Sequence, residues 1–265
     1  MRKVLFAGIA VLLAACVGTV GTGRLQGERS LNDTAYGYSI VSNLVRAGAQ
    51  AQRFEVRAGD CADDPWSSWS DCENNRERSE ISLNRRWAYG ADMWIGFSVY
   101  LPESFETSSR VKTTVGQIHQ KGAATGTAGG LPSRPPLMQL EMRGNRYFLR
   151  VHLLSGDADN VRNDVVDFTL VDIRDMRGRW TDIAINFNTA EGEELLEVYV
   201  NGERKARHTN WITFEPESYY FKYGIYRSFV TRHGGPMPTQ ILFIDEVRMG
   251  ASLESVMVSE AQPVD

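Results

Sequence analysis

Three short stretches of the sequence carry, on alternate residues, side chains that can bind anions and move protons. Residues two apart in an extended strand lie on one face, so each stretch would present its set together. The sets are Arg78 and Glu80 in RSEISL (78–83), Gln117 and His119 in VGQIHQ (115–120), and Tyr220, Lys222 and Tyr226 in YYFKYGIYR (219–227). An imidazole and a phenol can transfer protons, while a guanidinium, an amide and an ammonium can bind carboxylates. If the three strands are neighbours, these groups line a groove suited to an acidic polymer.

The apolar residues between these polar ones indicate which face is buried. Those expected to point into a core are Ile81, Leu83, Ile118, Phe221, Tyr223 and Ile225. Val115 is expected on the polar face or at the strand end. Gly224, between Lys222 and Tyr226, would leave a gap where a ligand approaches the backbone.

Each polar side chain also has an ordinary structural explanation. Arg78 and Glu80 could form a surface pair between strands, which contributes little stability. His119 could be partly buried without a function, and Tyr226 could pack on a neighbouring strand. The combination of all three stretches, rather than any single residue, favours a functional site.

In this order, the three stretches resemble the signature strands of β-jelly-roll polysaccharide lyases, which the alginate lyases of that group also carry. The resemblance is closer to the heparin lyase I-like and glucuronan lyases. It extends to the cysteine-bounded segment before Arg78, to WIGFSVYLP (94–102) and to the Pro-Pro-Leu after the Gly-rich loop, and it covers residues 54–250 or so. It implies that His119 and Tyr226 are catalytic and that Gln117, Arg78 and Lys222 bind substrate.

The residues themselves fit β-elimination at a uronate. Gln117 and Arg78 could offset the carboxylate charge. His119 could remove the C5 proton, and Tyr226 could protonate the departing O4 or perform both transfers in a syn elimination. A phenol, with a reference pKa of ~10, needs a nearby cation to act as a base, and Lys222 is the candidate. Glu80 would orient Arg78, and the division of base and acid between His119 and Tyr226 stays open.

Two further residues are predicted to contact substrate. Tyr220 shares the polar face of Lys222, and Arg150 shares a face with His152 in YFLRVHLL (147–154). For Arg150 and His152, a solvated strand face fits the pattern equally well.

Two other functions are possible on the same architecture. A non-catalytic carbohydrate-binding module needs aromatic platforms but no facing His and Tyr. A retaining glycoside hydrolase needs two closely spaced carboxylates, whereas Glu80 is the single acidic residue in the three motifs. The sequence has no Gly-x-Ser-x-Gly elbow, phosphate-binding Gly loop or zinc motif.

Most of the readable segments alternate apolar and polar residues with period two. With frequent Gly turns and no βα alternation, this predicts an all-β fold, a concanavalin-like β-jelly-roll sandwich of two antiparallel sheets. Asn201-Gly202 signals a hairpin. Only 36–48 carries a weak helical pattern, and 122–136 is a Gly/Pro-rich loop of the kind that is often mobile or functional.

Composition sets the outer limits. The 265 residues contain 29 Lys and Arg against 33 Asp and Glu, a net charge of −4, with 42% hydrophobic residues. These values exclude a disordered chain and a multi-span membrane protein, and they argue against nucleic-acid binding. We expect a monomer without a cofactor. Asp245 and Glu246 could hold calcium or cap a sheet edge.

The N-terminus predicts export. Residues 1–15 read as a signal peptide, and Leu13 to Cys16 resembles a bacterial lipobox, which would make Cys16 a lipidated first residue. An ordinary secretory signal cut nearby is the alternative. We divide the remainder into a tether (16–35), a lyase domain (36–255) and a C-terminal tail (256–265), on a protein anchored to a bacterial membrane in the periplasm or at the cell surface.

The two remaining cysteines, Cys61 and Cys72, are expected to form a disulfide in an oxidising compartment. Metal ligation is the weaker alternative because their spacing is long and no His is nearby.

Overall fold

A computed structural model describes residues 25–31, 34–65, 67–128, 131–157, 160–210 and 215–265. Within these ranges, one short α-helix, α1 (Leu253–Val256), and two 3₁₀ helices, Ile173–Asp175 and Val230–His233, accompany the strands. In chain order the strands are β1 (Gly27–Arg29), β2 (Tyr38–Val41), β3 (Ala51–Val56), β4 (Arg76–Trp87), β5 (Asp92–Tyr100), β6 (Lys112–Lys121), β7 (Gly126–Ala128), β8 (Leu131–Ser133), β9 (Met138–Arg143), β10 (Arg146–Asp157), β11 (Asn160–Asp172), β12 (Trp180–Asn188), β13 (Leu195–Val200), β14 (Glu203–Thr209), β15 (Ser218–Ser228) and β16 (Gln240–Gly250).

These strands form two seven-stranded antiparallel sheets. The first has the order β1-β4-β15-β6-β9-β10-β11, and the second has the order β14-β13-β12-β5-β16-β3-β2. β7 and β8 pair as a separate hairpin inside the predicted loop 122–136. The architecture confirms the predicted all-β sandwich of two antiparallel sheets.

Apolar side chains from both sheets fill the space between them. Phe97 of β5 meets Phe221 of β15 with ring centroids 5.6 Å apart, and Phe187 of β12 meets Tyr219 at 5.0 Å. Burying one such side chain contributes roughly 1.5–3 kcal/mol. The six residues predicted to face inward are all at most 1% exposed: Ile81, Leu83, Ile118, Phe221, Tyr223 and Ile225.

The expected position of Val115 is wrong. Val115 lies in the core, although it is three residues from the equally buried Ile118. The register of β6 against β9 shifts between Thr114 and Gly116, and such a bulge changes which face the following residues occupy. Simple alternation therefore fails on one side of Gly116.

The expected role of Gly224 is also wrong. A Cβ at this position would lie 2.4 Å from the Ser79 carbonyl oxygen on β4, so the neighbouring strand, and not a ligand, approaches the backbone here. The φ of Gly224 is +129°, a conformation that other residues rarely adopt. Glycine is thus required for the close pairing of β15 with β4.

The weak helical pattern over 36–48 does not correspond to a helix. Part of this stretch forms β2, which pairs with β3 at the edge of the second sheet. Pairing with a neighbouring strand outweighs a weak local preference. The Asn201-Gly202 hairpin is confirmed, since both residues have positive φ between β13 and β14.

The ends of the chain pack more closely than the sequence suggests. Residues 27–29, placed in the tether, form β1 against β4, so the folded region begins before residue 36. In the segment 256–265, the Val264 amide donates to Glu246 at 3.1 Å, and Asp265 accepts from the Ala49 amide at 3.1 Å. The signal peptide and Cys16 lie outside the described residues. No helix in the described ranges is long and apolar enough to cross a membrane.

Candidate active site

The three motif strands are neighbours. β15 lies between β4 and β6 in the first sheet, and the pairing sets Tyr226 opposite Arg78 on one side and opposite Thr114 on the other. Lys222 is opposite Gln117. Strand pairing therefore brings together side chains that are more than a hundred residues apart in the chain.

A cavity of about 520 Å³ opens over these strands. Its walls come from Ser30 and Leu31 after β1, from the cysteine-bounded loop, from the Gly/Pro-rich loop and from the end of β15. Five predicted site residues line it: Arg78, Gln117, His119, Lys222 and Tyr226. The other lining residues used below are Asp64, Trp69, Arg76, Arg134, His152 and Phe229.

Glu80 organises three of these side chains from beneath the cavity. It is 2% exposed, and its carboxylate accepts from Gln117 Nε2 at 2.5 Å and from Arg78 Nη1 at 3.3 Å and pairs with Lys222. Burial alone would raise the pKa of Glu80, but Lys222 and Arg78 bring it below its usual range. The carboxylate is fully engaged, so its role is to orient its partners.

Asp71, which sequence reasoning missed, holds Arg78 from the other side. Both Asp71 oxygens accept from the guanidinium, Oδ1 from Nη2 at 2.7 Å and Oδ2 from Nε at 2.5 Å. The Trp69 indole also donates to Asp71, at 2.9 Å. Asp71 precedes Cys72, and the predicted disulfide with Cys61 is confirmed. No spacing rule marks Asp71 in the sequence; its position beside a cysteine is the only signal.

His119 is held at one ring nitrogen by the backbone. Nδ1 lies 3.0 Å from the Gln120 amide nitrogen and 3.2 Å from the Gln120 carbonyl oxygen. The ring of Tyr220 lies against it, with centroids 5.3 Å apart. Burial, followed by the positive charge of Lys222, lowers the pKa of His119 to about 4. The imidazole is therefore neutral at pH 7.

The cation at the Tyr226 hydroxyl is Arg76, not Lys222. Arg76 Nε donates to the phenol oxygen at 3.0 Å, and the Arg78 guanidinium lies 4.4 Å from the ring centroid. Lys222 is instead paired with Glu80. Alternation along β4 contained the signal for Arg76, because it lies two residues before Arg78 on the same face.

The model of the polysaccharide lyase family matches residues 20–248, most of the chain. The chain belongs to the polysaccharide lyase family. It is accordingly a carbon–oxygen lyase acting on polysaccharides, and the expected resemblance is confirmed. Among curated proteins, none matches this sequence.

Solved structures match the lyase over most of its length. The endo-β-1,4-glucuronan lyase from the fungus Trichoderma reesei has a TM-score of 0.65 at 18% identity, covering 83% of this chain and 88% of that one. The family 7 alginate lyase A1-II′ with bound substrate has a TM-score of 0.53 at 15% identity, covering 84% and 90%. The exolytic alginate lyase AlyA5 from Zobellia galactanivorans has a TM-score of 0.52 at 10% identity, covering 84% and 94%. These likenesses establish the jelly-roll fold.

Two predicted contact residues do not line the cavity of the lyase. Tyr220 supports the His119 ring, and the Arg86 guanidinium lies 4.1 Å from its centroid. Arg150 makes two hydrogen bonds of 2.8 Å to Asp167. The neighbour of Arg150 on the same face, His152, lines the cavity instead, with Nε2 at 3.0 Å from Gln139 Oε1.

Two metal sites were alternatives in the sequence, one at Cys61 and Cys72 and one at Asp245 and Glu246. The two cysteines form a disulfide, and both carboxylates are occupied by other partners. Within the described ranges, no group of three or more His, Cys, Asp or Glu residues could hold a metal ion. Asp245 accepts from the backbone amides of Arg46 and Glu246, at 2.6 and 2.7 Å. Glu246 pairs with Arg248, and its other oxygen accepts from the Val264 amide. Both carboxylates anchor surrounding segments of the fold.

Proposed function

We propose that this lyase cleaves a uronate-containing polysaccharide by β-elimination and leaves an unsaturated uronate at the new end. The observation that carries the proposal is the meeting of His119, Tyr226, Gln117 and Arg78 in one cavity over three adjacent strands. The reaction has three requirements: the carboxylate charge must be offset, the C5 proton removed and the O4 leaving group protonated. The cavity contains a group for each.

Gln117 and Arg78 are suited to hold the uronate carboxylate. The Gln117 amide gives one N–H to Glu80 and has a second to offer. Arg78 gives three of its five N–H groups to Asp71 and Glu80, which leaves two for substrate. Because these groups are held before substrate arrives, little reorganisation opposes binding of the developing charge.

His119 and Tyr226 are suited to move the protons. A neutral His119, with Nδ1 occupied by Gln120, has Nε2 left to face the substrate. If Nδ1 carries the proton, Nε2 can remove the C5 proton. In the other tautomer Nε2 donates to the carboxylate, and Tyr226 performs both transfers in a syn elimination. Arg76 stabilises negative charge on the Tyr226 oxygen in either case.

Hydrolysis fits this cavity less well. Two carboxylates on either side of the scissile bond are needed for it. Among the described residues that line the cavity, Asp64 is the single carboxylate. Glu80 and Asp71 are each occupied by cationic partners below the surface.

The reaction is tested by incubating the purified protein with glucuronan, alginate and heparin-like polymers. Elimination predicts a rise in ultraviolet absorbance from the new C4–C5 double bond with at least one polymer. Glucuronan comes first, because the T. reesei glucuronan lyase has the highest TM-score of the three solved structures named above. Reducing ends without that absorbance would mean hydrolysis, and binding without cleavage would mean a carbohydrate-binding module.

The residue roles are tested by His119→Ala and Tyr226→Phe. Each should lower kcat at least about 100-fold, the usual loss when a proton-transfer group is removed, while the thermal transition is retained. Tyr219→Phe is the matched control, since Tyr219 lies on the same strand but is buried between the sheets. Full activity in both cavity variants would contradict the assignment.

We further propose that the protein is exported and held at a bacterial membrane by a lipid on Cys16, and that it acts as a monomer. The lipobox-like sequence before Cys16 and the disulfide at Cys61 and Cys72 support export. A polymeric substrate outside the cytoplasm is consistent with that location.

A further inference from the structure

At the rim of the cavity, two guanidinium groups lie against one aromatic ring. Arg76 Cζ is 3.9 Å from the centroid of the Phe229 ring, and Arg232 Cζ is 4.2 Å from it. Two like charges at these distances avoid each other best on opposite faces of the ring. Phe229 is nevertheless 39% exposed and lines the cavity together with Arg76. Arg76 and Phe229 therefore form part of the cavity surface, and the exposed Arg232 adjoins that surface through the Phe229 ring.

The positive charge of this stack is not balanced by the protein. In the centre of the cavity, Arg78 and Lys222 are matched by Asp71 and Glu80. Neither Arg76 nor Arg232 forms a salt bridge with any described carboxylate. The Arg76 guanidinium donates hydrogen bonds to the Tyr226 hydroxyl and to backbone carbonyls, all of which are uncharged. The surplus charge near the reaction centre thus lies at the rim.

The backbone holds Phe229 in an uncommon conformation. Its φ and ψ are 59° and 49°, a left-handed geometry that is rare for a bulky residue. Asn75 holds it there: its carbonyl accepts from the Phe229 amide at 2.8 Å, and its side chain exchanges bonds of 3.0 and 2.7 Å with Thr231. Backbone strain of this kind is found most often at active sites and ligand-binding sites.

We propose that Arg76, Phe229 and Arg232 form a subsite for a second acidic sugar unit, adjacent to the unit whose bond is cleaved. Arg232 binds the carboxylate of that unit through charge-assisted hydrogen bonds. Phe229 keeps the two guanidinium groups apart, and Arg76 joins the subsite to Tyr226. This inference rests on the proposed function, since the ligand is the same polyuronate chain.

The test measures binding of oligouronates of increasing length by calorimetry, using the polymer that the wild type cleaves, or glucuronate and mannuronate oligomers if it cleaves none. The His119→Ala background prevents turnover. Adding Arg232→Ala should weaken the longer oligomers about five-fold, leave the uronate monosaccharide nearly unchanged and reduce the salt dependence. Arg207→Ala, on β14 of the other sheet, is the matched control and should change neither.

The outcomes of this experiment distinguish failure of the subsite from failure of the proposed reaction. Equal affinities of the Arg232→Ala variant and its background at every length would overturn the subsite and leave elimination standing. A length-dependent loss, in a protein whose wild type forms no unsaturated product, would support the subsite and overturn the proposed function. Absence of binding to every oligomer would overturn both.

Phe229→Asn supplies an independent variant. Asparagine tolerates a left-handed backbone, so the Asn75 contacts should persist and the protein should remain folded. Removing the ring should produce the same loss for longer oligomers as Arg232→Ala. Unchanged affinity in this variant would show that the ring does not organise the rim.

Discussion

Burial determines the charge state of the two histidines that line the cavity. The pKa of His119 and that of His152 are each lowered to about 4, in both cases chiefly by loss of solvent. Lys222 adds to the effect at His119. A neutral imidazole is thus maintained well into the acidic range, which suits a group that must accept a proton or donate one from a neutral ring.

This lowered pKa predicts the acid limb of the activity profile. The kcat/KM should remain high as pH falls through the usual histidine range and should decline only as the pH approaches about 4, where His119 becomes protonated. The measurement is kcat/KM against pH on the polymer that is cleaved. An acid limb near 6.5, the unperturbed histidine value, would contradict the burial argument.

The same two histidines make the stability of the fold depend on pH. The unfolded chain protonates them near 6.5, whereas the folded protein does so near 4. Within this window, unfolding takes up protons, so the free energy of unfolding falls as pH falls, by up to about 1.4 kcal/mol per pH unit for each histidine. In His119→Gln, the free energy of unfolding, measured by urea titrations at several pH values, should depend less steeply on pH. An unchanged dependence on pH would mean that His119 has an ordinary pKa.

Among the structural elements, the cysteine-bounded loop connects the Cys61–Cys72 disulfide to the candidate active site. It supplies Asp64 and Trp69 to the cavity wall and Asp71 to the Arg78 guanidinium. The disulfide restricts the loop that carries all three. Stability and positioning can therefore be separated by changing the bond or the carboxylate.

Removing the disulfide should lower the stability of the fold, and removing the Asp71 carboxylate should lower the rate. Cys61→Ser with Cys72→Ser should lower the free energy of unfolding by about 3 kcal/mol, the chain-entropy value for a short loop. Asp71→Asn retains the disulfide and should instead lower kcat/KM at least about ten-fold, because Arg78 loses one of its two carboxylate partners while the amide preserves side-chain volume. Denaturant titration and initial rates distinguish the two. Wild-type rates in Asp71→Asn would show that Arg78 needs no such support.

The pairing of β4 with β15 depends on Gly224. Gly224→Ala should destabilise the fold by about 2 kcal/mol or more, because the added Cβ would meet the Ser79 carbonyl oxygen and the backbone has a positive φ. Gly235→Ala is the control, since a Cβ there has open space. Equal midpoints of thermal unfolding for the two variants would contradict the close approach.

On the scale of the whole molecule, a net negative protein presents a positive cavity. The sequence carries a net charge of −4, yet Arg76 and Arg134 line the cavity without a salt bridge to any carboxylate among the described residues. Local clustering of this kind allows an acidic polymer to be attracted to one face. The distribution of charged side chains, and not the net charge of the protein, makes the proposed acidic substrate compatible with this cavity.

The proposed anchor concerns the whole molecule as well. Cys16→Ser should move the protein from the membrane fraction to the soluble fraction of the exporting cell, since lipid attachment would be lost. Fractionation followed by activity measurement checks this. A membrane fraction unchanged by the substitution would favour the ordinary secretory signal.

Period-two alternation predicted much of the first sheet's central region. It predicted the strands, the buried face that carries Ile81 and Phe221, and the polar face that carries His119 and Tyr226. Such patterns are readable because a buried face imposes a constraint on every second residue of a strand. The disulfide was readable for a different reason, since only two cysteines follow Cys16.

Contacts between distant segments depended on the tertiary structure. Alternation assigns a face within one strand but contains no information on which strand or loop lies alongside. Asp71 reaches Arg78 from a loop, Arg76 replaces Lys222 at the Tyr226 hydroxyl, and Phe229 is placed at the rim by Asn75. The same limit explains Gly224, whose requirement comes from a neighbouring backbone. Local pattern thus predicts the candidate proton-transfer groups, whereas long-range packing decides which side chains orient them and which cations lie beside them.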